Sequence, residues 1–547
     1  MQSPTLRTAA RVKNPLPEGP LDVAIVGCGL GGLEAGALLA RRGFKVACFD
    51  SHYVAGGCAT MFERGRSDRR FRFDIGLHYV GDCGKDGAVM RLLGEAGVDV
   101  DWVPMDPDGF DTLVFPDFRF RIPASRDVFR DRLLAMWPKE KRGIDRYVRF
   151  LREVEHIQTR MDQSRGKLGW AGKIDALING RLAARYQNAT ISQVLDDCTR
   201  DPHVRAVMLG QSGDYGVAPS KVSALLHAGL TNHYFRGAYY PKGGGQVIAD
   251  RLADVIEAHG GSIHLRCGVE RILVENGRAV GVRTEGKAGG DGAEVRAKVV
   301  LSGADLKRTL LELVGPQHLP ASWVTRAQGF EMGAAIFLMV LGVEGNLTDH
   351  GLGATNLWQY DGYDFDAYYL TPFRPGDVDL RGCYITSATS KDPSSTGHAP
   401  AGHGTVEVMT LVPGDPRLWG VDPVDIDSGR YRKAPAYVAQ KARIEQDLVA
   451  RFDKLVPGAA KSIVLQESAT PVTHTRYTRA SDGTGYGLAA TPAQFMGGRP
   501  GYRAPVAGLY LCGASTRAGH GVVGALQGGQ RAATRIAEDL GRAMAGA

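Results

Sequence analysis

The sequence feature that most constrains the fold lies between residues 21 and 50. An apolar, β-branched run at 22–27 (DVAIVG) predicts a strand, and the Ala- and Leu-rich stretch that ends near Arg42 predicts a helix. Gly43 is suited to ending that helix, and 45–50 (KVACFD) predicts a second strand. A strand, a glycine turn, a helix and a second strand within about 30 residues are typical of a βαβ unit.

The glycine turn of this unit has the pattern Gly-x-Gly-x-x-Gly, formed by Gly27, Gly29 and Gly32, with Gly36 one helical turn later. In such a turn the first glycine permits the sharp bend, the second lets the backbone approach a pyrophosphate, and the third lets the helix pack closely on the sheet. Asp50 ends the second strand, where a carboxylate can accept a hydrogen bond from a ribose hydroxyl. The combination predicts a dinucleotide site at the helix N-terminus, and the alternative is a glycine-rich turn with a purely structural role.

Two further α/β segments favour FAD over NAD as the dinucleotide. The segment 262–304 predicts a run of short strands, and 508–512 (GLYLC) predicts one more strand before Gly513. Together with 21–50, they indicate one nucleotide domain that is assembled discontinuously around a long cofactor.

A second Gly-x-Gly-x-x-Gly pattern lies at 519–524, before the last predicted helix. No second strand with an acid at its end follows it, as a separate NAD domain would require. We therefore interpret this segment as a helix N-terminus that faces the flavin ring and stabilises negative charge on it. The alternative is an ordinary helix start.

Composition excludes several other classes of protein. The 66 basic and 59 acidic residues of the 547-residue chain give a net charge of only +7, and no dense basic block suggests a nucleic-acid partner. The eight cysteines form no CxxC pair, so we expect reduced thiols and no metal site. The first 20 residues are polar, which argues against a secretory signal. The sequence has no stretch of about 18 apolar residues, which argues against a membrane span. We expect a cytoplasmic protein; the segment 165–176, which combines basic residues with Trp170, suits either docking on a membrane surface or an ordinary solvated helix.

Motifs in order along nearly the whole chain resemble those of the superfamily of phytoene (carotenoid) desaturases, carotenoid isomerases and retinol saturases. The segments that carry the resemblance are the unit 27–50, Gly56-Gly57, 73–79 (FDIGLHY), 240–245 (YPKGGG), 470–487 and 513–528, in which FDIGLHY and VGALQG are most similar to the retinol-saturase-like branch. The chain departs from the common pattern at Cys58, where relatives carry a basic residue or His, and at GHGVVG in place of GxGIPG.

The resemblance implies FAD as the cofactor and an α/β fold, in which a discontinuous Rossmann-type, amine-oxidase-like FAD-binding domain is joined to a mixed α+β substrate domain. It also implies saturation, desaturation or isomerisation of C=C bonds in a small hydrophobic polyene or isoprenoid, with an external electron donor or acceptor that the sequence does not identify. The alternatives are an amine-oxidase-like flavoenzyme and a non-catalytic prenyl-binding escort protein. An apolar tunnel favours the first function, and a carboxylate or aromatic cage at the flavin favours amine oxidation.

The predicted boundaries are a disordered leader at 1–20, an FAD-binding domain at 21–84, 236–310 and 503–547, a helical substrate or cap region at 85–235, and a substrate-binding domain with buried strands at 311–502. Within them the pattern predicts helices at 124–137, 142–163, 189–198, 202–210, 219–233 and 436–455, and buried strands at 334–341 and 405–412.

The candidate site residues fall into three groups. Residues predicted to contact FAD are Gly27, Gly29, Leu30, Gly31, Gly32, Asp50, Ser51, Gly56, Gly57, Cys58, Gly76, His78, Val269, Gly303, Gly513, Ala514, Gly521, Val522 and Val523. Candidate proton donors or other catalytic groups are His78, Tyr79, His474, Arg476, Tyr477 and His520, each of which could equally be a structural residue of its turn. Candidate walls of a polyene tunnel, or plain core residues, are Phe337, Met339, Trp358, Tyr360 and Phe495.

Overall fold

A computed structural model describes residues 15–66, 69–163, 170–286, 292–370 and 379–541 of the chain. The first 14 residues of the predicted leader lie outside the described residues, as do residues 165–169 of the segment considered for membrane docking.

The described residues form nineteen strands and eighteen helices. The strands are β1 (Leu21–Val26), β2 (Val46–Phe49), β3 (Met61–Arg66), β4 (Arg69–Asp74), β5 (Val80–Gly81), β6 (Trp102–Pro104), β7 (Asp111–Val114), β8 (Arg119–Ile122), β9 (Ala238–Pro241), β10 (Ser262–His264), β11 (Val269–Glu275), β12 (Arg278–Thr284), β13 (Glu294–Ser302), β14 (Ala335–Glu344), β15 (Asn356–Tyr360), β16 (Gly382–Thr386), β17 (His403–Val412), β18 (Ile463–Ala469) and β19 (Leu509–Leu511). The helices are α1 (Leu30–Arg41), α2 (Ala88–Ala96), α3 (Arg126–Met136), α4 (Lys141–Gln163), α5 (Trp170–Asn179), α6 (Arg181–Arg185), α7 (Ile191–Asp196), α8 (Pro202–Leu209), α9 (Ala224–Phe235), α10 (Gln246–Ala258), α11 (Leu306–Arg308), α12 (Ala321–Gln328), α13 (Phe365–Leu370), α14 (Ala388–Lys391), α15 (Asp425–Ser428), α16 (Pro435–Leu455), α17 (Pro471–Thr478) and α18 (Gly521–Asp539).

The first sheet carries the predicted βαβ unit. Its parallel strands lie in the order β10, β2, β1, β13 and β19, and β12 and β11 extend it as an antiparallel ribbon. Every residue of β1 is buried, as expected of a parallel strand covered on both faces. Val23 and Ile25 pack beneath α1, α10 and α18, while Ala24 and Val26 pack on the residues that follow β13. The carboxyl ends of β1, β2 and β13 therefore meet at one edge, where the glycine turn begins.

The second sheet has seven strands and lies between the two hydrophobic cores of the rest of the structure. Its strand order is β18, β14, β17, β16, β15, β7 and β8. The predicted buried strands at 334–341 and 405–412 are β14 and β17, which pair antiparallel along their whole length. One face of β14 packs on α16 and the other faces the helical region, so this sheet separates two hydrophobic cores.

The region 85–235, which the sequence predicts to be mainly helical, also contains three strands at residues 102–122. These residues form β6, β7 and β8, and β7 pairs in parallel with β15, more than 200 residues later in the sequence. In β8, buried Phe120 and Ile122 alternate with exposed Arg119 and Arg121, which is the period of a half-buried strand.

The helices predicted after residue 124 are confirmed as α3, α4, α7, α8 and α9. Their starts have local causes. The Ser125 hydroxyl accepts from the N–H of Val128, Thr190 forms a capping box with Gln193, and Asp201 accepts from two N–H groups of the first turn of α8. Among the described helices, none combines the length and the apolar character that a bilayer crossing needs.

Candidate functional site

One cavity of about 1330 Å³ runs from the carboxyl edge of the first sheet to the face of the second sheet. A single small-molecule pocket typically has roughly 300–1,000 Å³, so this cavity can hold more than one small ligand. Of the residues predicted to contact FAD, all but Gly32 line it.

At the first end of the cavity, the glycine turn leads into α1. Gly27 has a φ of 95°, which favours glycine, and Gly29 is the N-cap of α1 with a φ of −71°. A β-carbon built on Gly29 would meet no atom within 4 Å, because this position faces the cavity. The first helical hydrogen bond runs from the N–H of Leu33 to the carbonyl of Gly29, so the preceding N–H groups of α1 are open to a phosphate.

Gly32 lies behind the turn rather than in the cavity lining. A β-carbon there would overlap the carbonyl oxygen of Gly27, so Gly32 is required for the close approach of helix and strand. This is the packing role that the third glycine of the motif has in dinucleotide folds.

Asp50 closes the same end of the cavity. Its carboxylate accepts from the N–H of Cys28 (2.6 Å) and from the N–H of His52 (2.8 Å), which fixes both oxygens. A carboxylate oxygen has a second lone pair, so a ribose hydroxyl can still donate to Asp50. Ser51 and Val269 line the cavity beside it.

The loop at 56–58 lies across the turn. The N–H of Gly56 donates to the carbonyl of Cys28 (2.7 Å), and a β-carbon on Gly57 would lie 3.0 Å from the Cα of Gly29. Cys58 is exposed to the cavity, and a β-carbon on Gly76 would lie 3.0 Å from the Cys58 carbonyl oxygen. These glycines bring two loops close enough to enclose a narrow ligand.

A second helix N-terminus points into the cavity from the opposite side. His520 is the N-cap of α18, and Gly521, Val522 and Val523 of its first turn line the cavity together with Gly513 and Ala514. Both ring nitrogens of His520 are buried, and neither has a hydrogen-bond partner among the residues that the structure describes. Burial lowers the pKa of His520 to about 3, and nearby Arg499 acts in the same direction, so the imidazole is neutral.

The six candidate catalytic residues are distributed over two parts of the cavity. His78, Tyr79 and His520 lie at its middle and far end, whereas His474 and Tyr477 project from α17. The Tyr477 ring meets the His52 ring edge-on at 5.5 Å, which places this pair near Asp50. Arg476 does not line the cavity, because it extends from the other side of α17 against Gly429.

The backbone of His78 contacts the buried ammonium group of Lys391. The Nζ of Lys391 donates to the carbonyl of His78 (2.5 Å) and to the hydroxyl of Thr386 (2.6 Å). Burial and the Lys391 charge lower the pKa of His78 to about 3, so its ring is neutral. Burial also lowers the pKa of Lys391 to about 8 and raises the pKa of nearby Glu407 to about 8.

Sequence reasoning missed two acids beside Tyr79, the buried Asp111 and the partly exposed Asp214, which lines the cavity. The Tyr79 hydroxyl lies 2.6 Å from Oδ2 of Asp214 and 3.0 Å from Oδ2 of Asp111, and the Tyr79 ring stacks on Tyr234 at 4.5 Å. One signal was available: each acid is isolated, Asp111 in the apolar run 110–115 (FDTLVF) and Asp214 in a glycine turn between two predicted helices.

Apolar and aromatic side chains from one helix and four strands form the wall beyond Tyr79. The lining residues are Leu225, Leu226 and Leu230 of α9, Ile336, Leu338 and Val340 of β14, Trp358 of β15, Tyr384 of β16 and Met409 of β17.

Of the residues predicted to line a polyene tunnel, Trp358 and Phe495 do so. Phe337 and Met339 are core residues, which was the alternative for them, since alternation along β14 turns them to the core under α16. Tyr360 also lies outside the lining, with its hydroxyl donating to the carbonyl of Gly210 (2.7 Å). Within the described ranges, no group of three or more His, Cys, Asp or Glu side chains could hold a metal ion.

The sequence is similar to a known family and to proteins of known activity. The sequence profile of the family described as flavin-containing amine oxidoreductase matches residues 30–426. All-trans-retinol 13,14-reductase of Danio rerio is 28% identical over 522 residues, covering 90% of this chain and 82% of that protein. Chloroplastic prolycopene isomerase of Daucus carota is 25% identical over 539 residues, covering 95% of this chain and 80% of that protein.

Among solved structures, cyclohexylamine oxidase from Brevibacterium oxydans aligns with a TM-score of 0.60 at 16% identity, over 96% of this chain and all of that one. This likeness confirms the predicted fold class, an α/β flavin-binding fold with an added substrate domain.

Proposed function

Because this chain belongs to the flavin-containing amine oxidoreductase family, we propose that it is an FAD-dependent oxidoreductase that acts on C=C bonds of an apolar polyene or isoprenoid. The observation that carries the proposal is the composition of the continuous cavity of about 1330 Å³. One end is built for a dinucleotide and the other is an apolar pocket, and no protein wall divides them.

The dinucleotide end fits FAD. The N-terminus of α1 supplies free N–H groups for the pyrophosphate, Gly29 leaves the space that a side chain would fill, and Asp50 offers acceptors to a ribose. The N-terminus of α18 lies at the other side of the cavity, where its positive end can stabilise negative charge on a reduced flavin ring. Bound there, FAD would supply two-electron redox chemistry.

The substrate end fits an apolar molecule. Its walls are side chains of leucine, isoleucine, valine, methionine and aromatic residues from β14, β17 and α9. The relatives named for action on all-trans-retinol and on prolycopene cover nearly the whole chain, and both names describe polyene substrates. Their identities of 28% and 25% support the class of substrate but do not choose between reduction and isomerisation.

Amine oxidation is the second candidate function, because one observation favours it. Tyr79, Tyr234, Trp358 and Tyr384 place aromatic rings around Asp214 in the cavity. An ionised carboxylate within aromatic rings would attract a substrate ammonium. However, burial and the negative charge of Asp111 raise the pKa of Asp214 to about 8, so at neutral pH this carboxyl is uncharged and suits an apolar substrate better.

The escort-protein alternative is the weakest, because it requires a filled or collapsed nucleotide crevice. The Gly29 position is open, and the N-termini of α1 and α18 both line the cavity.

We also propose that α5 brings the protein to a membrane surface, from which an apolar substrate is taken. Trp170 is 80% exposed, and Ile174 and Ile178 follow at intervals of four residues with 41% and 58% exposure. This spacing puts the three side chains on one helix face, as in helices that lie in a bilayer interface.

The proposed function is tested anaerobically with the purified, flavin-loaded protein. Oxidised and dithionite-reduced samples are mixed separately with retinol, a cis-carotenoid, an unsaturated fatty acid and cyclohexylamine, and flavin absorbance and product mass are followed. Re-oxidation of reduced flavin by a polyene with a mass gain of two hydrogens indicates saturation, and altered geometry at constant mass indicates isomerisation. Bleaching of oxidised flavin by the amine alone would contradict the proposal.

A further inference from the structure

The phenol of Tyr79 bridges two carboxyl groups. The Tyr79 hydroxyl lies 2.6 Å from Asp214 and 3.0 Å from Asp111, both hydrogen-bonding distances. A phenol has one proton, so it can donate to only one of the two. The other contact is a hydrogen bond only if that carboxyl is protonated and donates to the phenol oxygen.

The surrounding donors decide which carboxyl carries the proton. Asp111 is fully buried and accepts from the amide of Asn356 (2.8 Å) and the amide of Gln211 (2.7 Å), which stabilise its ionised form. The Asp214 carboxyl meets only phenols, those of Tyr79 and Tyr234, among the side-chain hydrogen bonds of the described residues. The assignment that fits these contacts is a series of two hydrogen bonds, in which protonated Asp214 donates to Tyr79 and Tyr79 donates to ionised Asp111.

The electrostatics agree with this assignment. Burial raises the pKa of Asp214 to about 8 and that of Asp111 to about 6. The groups that act on Asp214 are Asp111, Tyr79 and Tyr234, and none of the three is a cation. The two acids interact, so they titrate as a pair in which the first proton to leave on raising the pH comes from Asp111.

Asp214 also lies where the apolar pocket meets the end of the cavity near α18. Its neighbour Gly213 accepts a hydrogen bond from the Tyr486 hydroxyl (2.5 Å), and the Tyr486 ring meets the His520 ring at 5.8 Å. Tyr384 and Trp358, whose rings are 4.3 Å apart, line the pocket on the same side as Asp214.

We propose that Asp214 is the acid that delivers a proton to a substrate carbon, with Tyr79 as its relay and Asp111 as the fixed anion that orients the relay. This inference rests on the proposed function. In saturation, a hydride from the reduced flavin, which becomes oxidised, and one proton from the Asp214 carboxyl add to the two carbons of the alkene. A new C–H bond forms as the Asp214 O–H bond breaks. Tyr79 then gives its proton to the Asp214 carboxylate, and water that enters the cavity restores the proton of Tyr79. In vitro, dithionite is the reductant.

The first test needs no turnover. Infrared difference spectra of the flavin-loaded protein at pH 7, wild type minus Asp214→Asn, should show the C=O band of a buried carboxylic acid. Wild type minus Asp111→Asn should show a carboxylate instead. Glu407→Gln is the matched control, because Glu407 is a second buried carboxyl with a raised pKa outside the cavity lining, and the Asp214 band should persist in it. A carboxylate signal for Asp214 at pH 7 would overturn the assignment.

The second test uses single turnover of dithionite-reduced protein in deuterated water. Asp214→Asn should keep its flavin content and the spectral shift on substrate binding. Its rate of transfer of solvent deuterium to product should fall by roughly 100-fold or more, the usual range for a lost general acid. Tyr79→Phe, which retains the stacked ring, should slow repeated turnovers more than the first, because it removes only the relay. Unchanged deuterium transfer in Asp214→Asn would refute the proposal.

The two tests separate this inference from the proposed function. If no polyene reacts with wild type, the proposed function fails, and the infrared spectra still decide whether Asp214 is protonated. If wild type turns over and Asp214→Asn matches it, only the assignment of the acid fails.

Discussion

Gly529 of α18 lies directly against Gly31 of α1, so closely that a β-carbon on Gly529 would overlap the Gly31 carbonyl oxygen. Gly31 is equally confined, since a β-carbon there would lie 2.8 Å from the backbone nitrogen of Gly513. The two helices whose N-termini face the cavity are thus held together through backbone contacts, and the width of the nucleotide crevice depends on them.

Gly529→Ala is expected to force these helices apart. The added methyl meets backbone rather than a flexible side chain, so we expect a loss of about 1–3 kcal/mol in the free energy of unfolding, together with weaker flavin retention. Urea unfolding and the ratio of flavin to protein absorbance measure the two effects. Gly94→Ala, at an exposed position of α2 with no atom within 4 Å of its β-carbon, is the control and should stabilise slightly. Equal stability of Gly529→Ala and wild type would contradict the close contact.

Gly29→Val should separate cofactor binding from folding. The φ of −71° is accessible to any residue, and the new side chain would meet only the cavity, so the apoprotein should fold with little change in melting temperature. The isopropyl group would occupy the path of the pyrophosphate, and we expect a colourless protein. Flavin absorbance and circular dichroism report the two properties. A yellow Gly29→Val variant with full flavin content would mean that the cofactor does not cross this turn.

Glu407→Gln should make stability less dependent on pH. Burial raises the pKa of Glu407 to about 8, with Asp74 acting in the same direction and Lys391 opposing it. The folded protein thus binds a proton that the unfolded chain releases near pH 4, and this contribution to stability is lost as pH rises through 8. Glutamine does not titrate. The free energy of unfolding of the variant, compared with that of wild type, should therefore rise by roughly 1–3 kcal/mol between pH 6 and pH 9.

Urea unfolding at the two pH values checks this, with Glu331→Gln, whose side chain is 63% exposed, as the control. A difference between Glu407→Gln and wild type that stays constant with pH would show that Glu407 is ionised in the folded protein.

Trp170→Ser should weaken binding to lipid vesicles. If the indole enters the bilayer interface, losing about 1–1.5 kcal/mol of apolar burial reduces the partition coefficient roughly fivefold to tenfold. Cosedimentation with phosphatidylcholine–phosphatidylserine vesicles measures it. Val424→Ser, which changes another strongly exposed apolar side chain, should bind like wild type. If both variants bind alike, α5 is not the docking element.

The nucleotide end of the site could be predicted from the sequence because its signals are local. Gly27, Gly29, Gly32 and Asp50 fall within one βαβ unit. Gly27 is required by its positive φ and Gly32 by its close approach to the Gly27 carbonyl, whereas Gly29 and Asp50 line the cavity. The strong apolar runs that form β14 and β17 could also be predicted as buried strands. Which side chains of β14 face the cavity could not, because this depends on packing against α16.

The arrangement of Tyr79, Asp111 and Asp214 could not be predicted in this way. Asp111 meets Asp214 only because β7 pairs with β15 and because Tyr79, from a third segment, lies between the two acids. Arg476 belongs to the same motif segment as His474 but leaves α17 on the side away from the cavity. Proximity across hundreds of residues and the direction of a side chain from a short helix have no local signature.

The convergence of α1 and α18 on one crevice also bears on how the protein is made in the cell. Gly27 and Asp50 leave the ribosome early, whereas the turn at Gly513 and the helix that follows it emerge some hundreds of residues later. Until then, the buried face of α1 lacks its partner and remains a target for chaperones. With FAD bound as proposed, the cofactor would join both segments and act as a late folding ligand, so flavin-starved cells should accumulate less of the mature protein.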